Sequence, residues 1–150
     1  MRAVIQRVNH ASVSIEGNQH ASIGQGILIL LGVEPADSSE DIQWLAGKIA
    51  RLRIFDDAEG VMNLPLREAD GQVMVISQFT LHASTKKGNR PSYIKAAPPG
   101  QAIPLYEEFI NQMQLVTGQE VRSGIFGAYM KITLENDGPV TIIIDTKNKE

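Results

Sequence analysis

The sequence predicts an α+β fold, a mixed but largely antiparallel β body with two main helices outside it. Three observations carry that expectation. Apolar and polar residues alternate near both ends of the chain, at Ala11–Glu16 and Met130–Glu135, the period of a half-buried strand. The runs Ile27–Leu31 and Val73–Ile76 are too apolar for surface strands and too short to cross a membrane, so they read as strands covered on both faces. Two longer segments, near residues 38–52 and 102–117, repeat apolar residues at helical spacing.

The opening third reads as an antiparallel meander. Residues 3–8 and 11–16 are strands, the second with Ala11, Val13 and Ile15 on one face and Ser12, Ser14 and Glu16 on the other. Glu16-Gly17-Asn18 is a turn, a short polar strand follows near His20–Ile23, and Ile27–Val33 is a central strand. Asp37 or Ser38 can cap the first helix, with Glu40 and Asp41 favourable in its first turn. Its inward stripe is Ile42, Leu45, Ile49 and Leu52, cations gather at its end, and Trp44 lies off the stripe and is expected to pack sideways. Arg53–Phe55 is a short strand before the Asp56–Gly60 turn. Leu64-Pro65-Leu66 cannot lie inside a sheet, because proline donates no ladder hydrogen bond.

The strand that opens at Val73 runs toward Leu81, and a polar loop without periodicity covers His82–Tyr93. Loops of that length in compact domains often carry function. Pro98-Pro99-Gly100 is a stop, after which the second helix covers 102–117 with Leu105, Phe109, Met113 and Val116 on one side and Gly118 at its end. The last segment is a run of strands: Val121, tight bends at Gly124 and Gly127, the alternating stretch from Met130, a hairpin turn at Asn136-Asp137-Gly138, and a returning strand Val140–Asp145. There is no internal repeat, so residues 1–150 read as a single domain with a loose tail at Lys147–Glu150.

The formal net charge of −3 argues against a protein that coats nucleic acid, DNA included. A small basic patch is compatible with it, and Lys86, Lys87, Arg90 and Lys95, with only neutral residues among them, are the one candidate; a solvated loop explains them as well, and is the commoner reason for such a cluster. Zero cysteines exclude disulfides and thiolate chemistry and fit a reducing compartment. The N-terminus turns polar at Gln6 and Arg7, too early for a signal peptide, and no apolar run approaches the ~20 residues of a membrane span. The expectation is a cytoplasmic protein with no membrane partner.

Two stretches stand out chemically. In Val73–Leu81 a buried strand ends in Ser77, Gln78 and Thr80 around Phe79, which places hydroxyls, an amide and free backbone N–H groups at a rim. A strand end satisfying its own backbone through Ser and Thr is the plain alternative. His82 lies two residues beyond Thr80 and shares its face if the strand continues, but no acid partner and no G-x-S-x-G elbow accompany them. The three histidines are scattered, so no metal site and no cofactor is expected. In Asn136–Thr141, Pro139 removes a ladder donor just where a hairpin would begin to pair. A Gly-Pro bond can be cis, although only ~5–6% of X-Pro bonds in folded proteins are, and a hairpin turn remains the commoner use of such residues.

Together, Ser77-Gln78-Phe79-Thr80-Leu81 and Asn136-Asp137-Gly138-Pro139-Val140-Thr141 resemble the two signature motifs of the D-aminoacyl-tRNA deacylases, the D-tyrosyl-tRNA deacylase family. The resemblance runs along the whole chain, through Met1–Val8 with Arg7, the Lys87–Ser92 loop and Gly124–Met130; Tyr93 stands where many members carry Phe. It implies a mixed fold with a barrel-like β body and helices outside, and a homodimer with shared active sites. Ser77, Gln78, Phe79 and Thr80 of one subunit would meet Gly138 and Pro139, in cis form, of the other.

The implied reaction is hydrolysis of the ester joining a D-amino acid, or glycine mischarged on tRNA-Ala, to the tRNA 3′ end, with L-aminoacyl-tRNA spared. That is a chiral proofreading step in translation. Phe79 and Thr80 would offer backbone N–H groups to the oxyanion, and Gly138, Pro139, Asn136, Arg7, Phe126 and Met130 would form the substrate pocket. Lys86, Lys87 and Arg90 would meet tRNA phosphates. The rival expectations are a non-catalytic tRNA-end binder, a Thr80 esterase, and a structural subunit.

Overall fold

In the computed structural model, which describes residues 1–150, the two N-terminal segments are one strand, β1 (Arg2–Ile15). Burial along it alternates to Arg7, slips at Val8, and resumes at Ala11. Bulges on either side of Val8 absorb the slip, so the strand bends where two were expected. A turn with Glu16 and Gly17 at positive φ leads into β2 (Asn18–Ile23), antiparallel to β1. The apolar run forms β3 (Gly26–Gly32), antiparallel to β1 on one edge and parallel to β6 (Gln72–Ser77) on the other. Short β7 (Val121–Ser123) extends the sheet beyond β6, again in parallel.

The last strand, β8 (Met130–Asp145), is the largest departure from the sequence expectation. It does not turn back at Asn136–Gly138. It pairs antiparallel with β1 from Arg2↔Asp145 to Ile15↔Met130. β3 and β2 therefore share one edge of β1 in succession, while β8 takes the whole of the other. The resulting mixed sheet, ordered β2-β1-β3-β6-β7 with β8 beyond β1, curls until β2 lies against β6 and β7. That is the barrel-like body. A separate hairpin of β4 (Arg53–Asp56) and β5 (Met62–Pro65) keeps Pro65 at a strand end, away from any sheet interior.

The helices α1 (Ser39–Ala50) and α2 (Pro99–Thr117) pack on each other and on one sheet face. Ile5, Ile29, Leu31, Val73 and Val75 from the sheet meet Leu45, Ile49, Phe109 and Met113 in the larger core. Val8, Val13, Leu28, Met74 and Ile76 fill a second core on the opposite face. Two cores explain why β3 and β6 show no polar alternation: both of their faces are dry.

Ser38 is the cap of α1, with its N–H donating to the Asp41 carboxylate at 2.9 Å. Asp37 turns away and takes the N-terminal ammonium, which also donates to Thr146. Leu52 falls beyond the helix end, and Trp44 packs sideways with Lys149 Nζ 4.4 Å above its ring. Pro98-Pro99-Gly100 does not stop the chain before α2 but starts it, since proline at a first helical position loses no hydrogen bond. The buried face of α2 is Ala102, Tyr106, Phe109, Met113 and Thr117; it keeps Phe109 and Met113 of the expected stripe, leaves Leu105 and Val116 half-buried at its edge, and takes Tyr106 inside because its hydroxyl donates to Val75 O at 2.9 Å. Burial pushes that phenol up to about 12. Gly118 ends the helix in the left-handed region at φ 71°. No helix is long and apolar enough to cross a membrane.

Candidate active site

The first stretch departs from a strand at Ser77, the last residue of β6, which pairs with Leu31. Gln78 N–H donates to Leu31 O at 2.7 Å, and the chain then winds into a 3₁₀ turn over Phe79–His82. The turn closes through Leu81 N–H to Gln78 O at 3.2 Å and Ala83 N–H to Thr80 O at 3.0 Å. The N–H groups of Phe79 and Thr80 come before the first of these donors and have no partner in the turn, as at any helix start. Arg2, paired with Asp145 of β8, donates to Leu81 O at 2.6 Å and holds the turn against the sheet.

Because the strand stops, Thr80 and His82 do not share a strand face. His82 is 3% exposed and packs on Gly32, where a Cβ would stand 3.0 Å from His82 Cδ2; its Nε2 is buried without a partner. Thr80 Oγ1 instead accepts from the amide of Gln78, which is no base. Phe79 is 55% exposed and meets the Tyr93 ring edge-on at 5.1 Å. Beside it a cavity of about 70 Å³ is lined by Ser77, Gln78, Phe79, Tyr106, Phe126 and Gly127, among others. Phe126 thus joins the 77–79 segment. Met130 lies one element on, its sulfur occupying the space that a side chain at Gly124 would need.

The second stretch is an excursion from β8. Val8 pairs with Asn136 and Gln6 with Thr141, so Asp137–Val140 stand opposite Arg7 alone. Asn136 clasps the excursion at its base: its Oδ1 accepts from Val140 N–H at 2.9 Å, and its Nδ2 donates to Thr141 Oγ1 at 3.2 Å and to the Gln6 amide oxygen. The Gly138-Pro139 bond is cis, and Gly138 has φ +124°. A Cβ there would stand 2.8 Å from Val140 Cγ2 and 3.1 Å from Arg7 Nη2.

Arg7 is no strand-end surface charge. Its side chain is 7% exposed, with Nε donating to Asp137 O at 3.1 Å and Nη1 to Ile54 O at 2.8 Å and Asp56 Oδ1 at 3.1 Å. Asp56 and Gln6 are members of this arrangement that the sequence did not single out. No local spacing links them to residues 136–141; the pairing of β1 with β8 does.

Lys86, Lys87 and Arg90 are exposed at the tip of a loop pinched by mutual Ser84–Ser92 backbone hydrogen bonds of 2.8 and 3.0 Å. No cluster of three metal-ligating side chains is present. A larger cavity, about 500 Å³, lies apart, between Trp44 and Lys48 on α1, Ile142–Asp145 of β8 and the C-terminal tail.

The 77–80 and 138–139 stretches do not meet within one chain. They are separated by the steps β8–β1–β3–β6 across the sheet, and by the distance from the Arg7↔Ile27 level to the Leu31↔Ser77 level along it. At ~4.8 Å per strand and ~3.3 Å per residue, they lie on the order of 15–20 Å apart.

The family described as D-Tyr-tRNA(Tyr) deacylase matches residues 4–145. Proteins named D-aminoacyl-tRNA deacylase from Bacteroides fragilis, Porphyromonas gingivalis and Flavobacterium johnsoniae are 63%, 61% and 57% identical over 150 residues, covering the whole of both chains. A solved structure described as "c-Myc DNA Unwinding Element Binding Protein" superposes with a TM-score of 0.91 at 37% identity, over 97% of this chain and 98% of that one. Another, described as "Structural Analysis of a probable eukaryotic D-amino acid tRNA deacylase", superposes at 0.81 over 95% and 97% of the two chains; at 16% identity it speaks to the fold alone. With two separate motifs, a mixed barrel-like sheet and full-length relatives in agreement, the chain belongs to the D-Tyr-tRNA(Tyr) deacylase family.

Proposed function

We propose that this protein hydrolyses the ester between a D-amino acid and the 3′ adenosine of tRNA, accepts glycine on tRNA-Ala, and rejects L-aminoacyl-tRNA. It acts as a single-domain cytoplasmic homodimer in chiral proofreading. The observation that carries the shared site is the separation just described. Two motifs that must act on one substrate lie on the order of 15–20 Å apart in one chain, so residues 77–80 of one copy work with residues 138–139 of another.

Water attacks the ester carbonyl carbon, the C–O bond to the ribose breaks, and the 3′ oxygen leaves as the hydroxyl of free tRNA. The N–H groups of Phe79 and Thr80 are the donors for the oxyanion, and one well-placed donor is worth roughly 10²–10³ in rate. Thr80 has no base beside it, only the Gln78 amide, which supports a positioning role for both. The 2′-hydroxyl of the substrate then helps to activate the water. Ser77, at the strand end, lines the same cavity as Phe126.

Selection is steric. The main-chain carbonyls of Gly138 and Pro139 receive the α-ammonium and leave no space for a side chain on the L side, which is discrimination by rejection. Asn136 and Arg7 hold that rim from behind, and Met130, whose sulfur sits against Gly124, is assigned to the same substrate pocket. Lys86, Lys87 and Arg90 meet phosphates of the acceptor end. The test is incubation of the purified protein with D-tyrosyl-tRNA and L-tyrosyl-tRNA. Release of D-tyrosine alone is expected, and release of neither amino acid would end the enzyme reading.

A further inference from the structure

We propose that Asp56 is a positioning residue for chiral selection, acting through Arg7 on the Asp137–Gly138 rim. The proposal rests on the reading that this rim screens the substrate's α-carbon.

A guanidinium whose side chain is 7% exposed needs acceptors on every side that water cannot reach. Arg7 meets the rim at two nitrogens. Nε faces Asp137, with O at 3.1 Å and Oδ2 at 3.2 Å, and Nη2 lies 3.1 Å from the place of a Gly138 Cβ. The third nitrogen, Nη1, points the other way, to Ile54 O at 2.8 Å and Asp56 Oδ1 at 3.1 Å. Nothing in the protein accepts a hydrogen bond from Nη2, so its position is set by what holds the other two nitrogens. A planar fork held at Nε alone can swing about that point, whereas one held at both ends cannot. Asp56 supplies the only charge at the far end, and charge-assisted bonds are roughly twice as strong as neutral ones.

The Asp56 carboxylate is 53% exposed, but the backbone that carries it is fixed. It ends β4 directly after Phe55, which is 2% exposed, and pairs with Met62 across the hairpin. The hairpin shares no ladder with the main sheet. Two of its own acceptors, Ile54 O and the Asp56 carboxylate, are what tie it to Arg7. Without the Asp56 carboxylate the far end keeps one neutral bond, Nη1 to Ile54 O, in place of two; the fork is held more loosely there, Nη2 shifts more freely against Gly138, and the rim loses part of its rigid backing. A screen that works by excluding a side chain then admits the wrong enantiomer.

The experiment measures deacylation of D- and L-tyrosyl-tRNA by wild type, Asp56→Ala, Asp56→Asn and Asp56→Glu, with amide exchange at Gly138 and Val140 in each protein. Asp56→Ala is expected to lower the D-over-L preference about tenfold, the factor that one charge-assisted hydrogen bond corresponds to, and to speed exchange at both amides. Asp56→Asn should fall between, keeping an acceptor without the charge, and Asp56→Glu should recover much of the preference. Asp56→Asn also serves if the alanine variant does not fold. Equal loss on both enantiomers with no change in preference would make Asp56 a fold residue and overturn the proposal, as would wild-type preference and exchange in Asp56→Ala. A wild type that releases neither amino acid would remove the function beneath it, an outcome distinct from either.

Discussion

Gly138→Ala tests the rim directly. The residue sits at φ +124°, a backbone region that side chains other than glycine rarely adopt, and holding alanine there costs about 1–3 kcal/mol. The added methyl would also stand 2.8 Å from Val140 Cγ2 and 3.1 Å from Arg7 Nη2. Val140 is 8% exposed and clasped by Asn136 through its N–H, so it has little room to retreat. Strain and crowding together predict a loss of about 2–4 kcal/mol. In a protein of this length each kcal/mol moves the melting temperature by roughly 2–4 °C, so a drop on the order of 5–15 °C is expected. Turnover of D-tyrosyl-tRNA should fall more steeply than melting alone explains, because on the proposed reading the methyl crowds the carbonyls that would receive the α-ammonium. Thermal unfolding and single-turnover deacylation, both on the purified protein, read the two effects separately. An alanine variant that melts within a degree of wild type and keeps its D-activity would refute both the crowding and the placement of the rim.

Other expectations follow from the same geometry. Thr80→Ala removes the hydroxyl that accepts from Gln78 and should cost less than about tenfold in kcat, the worth of one ordinary hydrogen bond; a loss of about 10⁴, the scale of a lost nucleophile, or a trapped acyl-Thr80 would make it one. Replacing Lys86, Lys87 and Arg90 together by alanine should weaken tRNA binding alike for every amino acid and reduce the slope of log K against log salt by about 2–3. An unchanged slope would free that loop of any phosphate role.

The acid limb of stability reports Asp41. Burial pushes its carboxyl up, but hydrogen bonds from Lys147, Thr146 and the Ser38 N–H outweigh that and hold it well below the usual carboxylate range. A depressed carboxyl contributes stability that is present above its unfolded pKa of about 4 and lost as pH falls through the folded value. Urea midpoints should therefore decline below about pH 4, and Lys147→Ala should make that decline shallower. An equally steep decline in the variant would contradict the Asp41–Lys147 link at 2.8 Å.

Much of the molecule was legible in local pattern. The apolar runs of β3 and β6, the stripe of α1, the Gly118 stop and the edge position of Pro65 each follow from side-chain period or a backbone restriction within a few residues. The same holds for the short-range identity of the two motifs. Residues 136–139 misled local reasoning because Asn-Asp-Gly is as good a hairpin as it is a bulge. The choice belongs to β1, which is long enough to pair with β8 on both sides of the excursion. His82 likewise went inside because a glycine fifty positions earlier left space for it.

By itself, then, the sequence determined which residues seek burial, where the first helix starts and the second one stops, and which two stretches resemble the family's motifs. Those are properties of neighbours along the chain, set by period, propensity and turn chemistry. The tertiary structure alone decided that Asp56 answers the charge of Arg7, that β8 resumes its pairing with β1 after the excursion at Gly138, and that the two motif stretches stand apart on one curled sheet. The physical reason is that strand registry and the pairing of a buried charge are settled between residues far apart in sequence, where no local pattern can distinguish one acceptable partner from another.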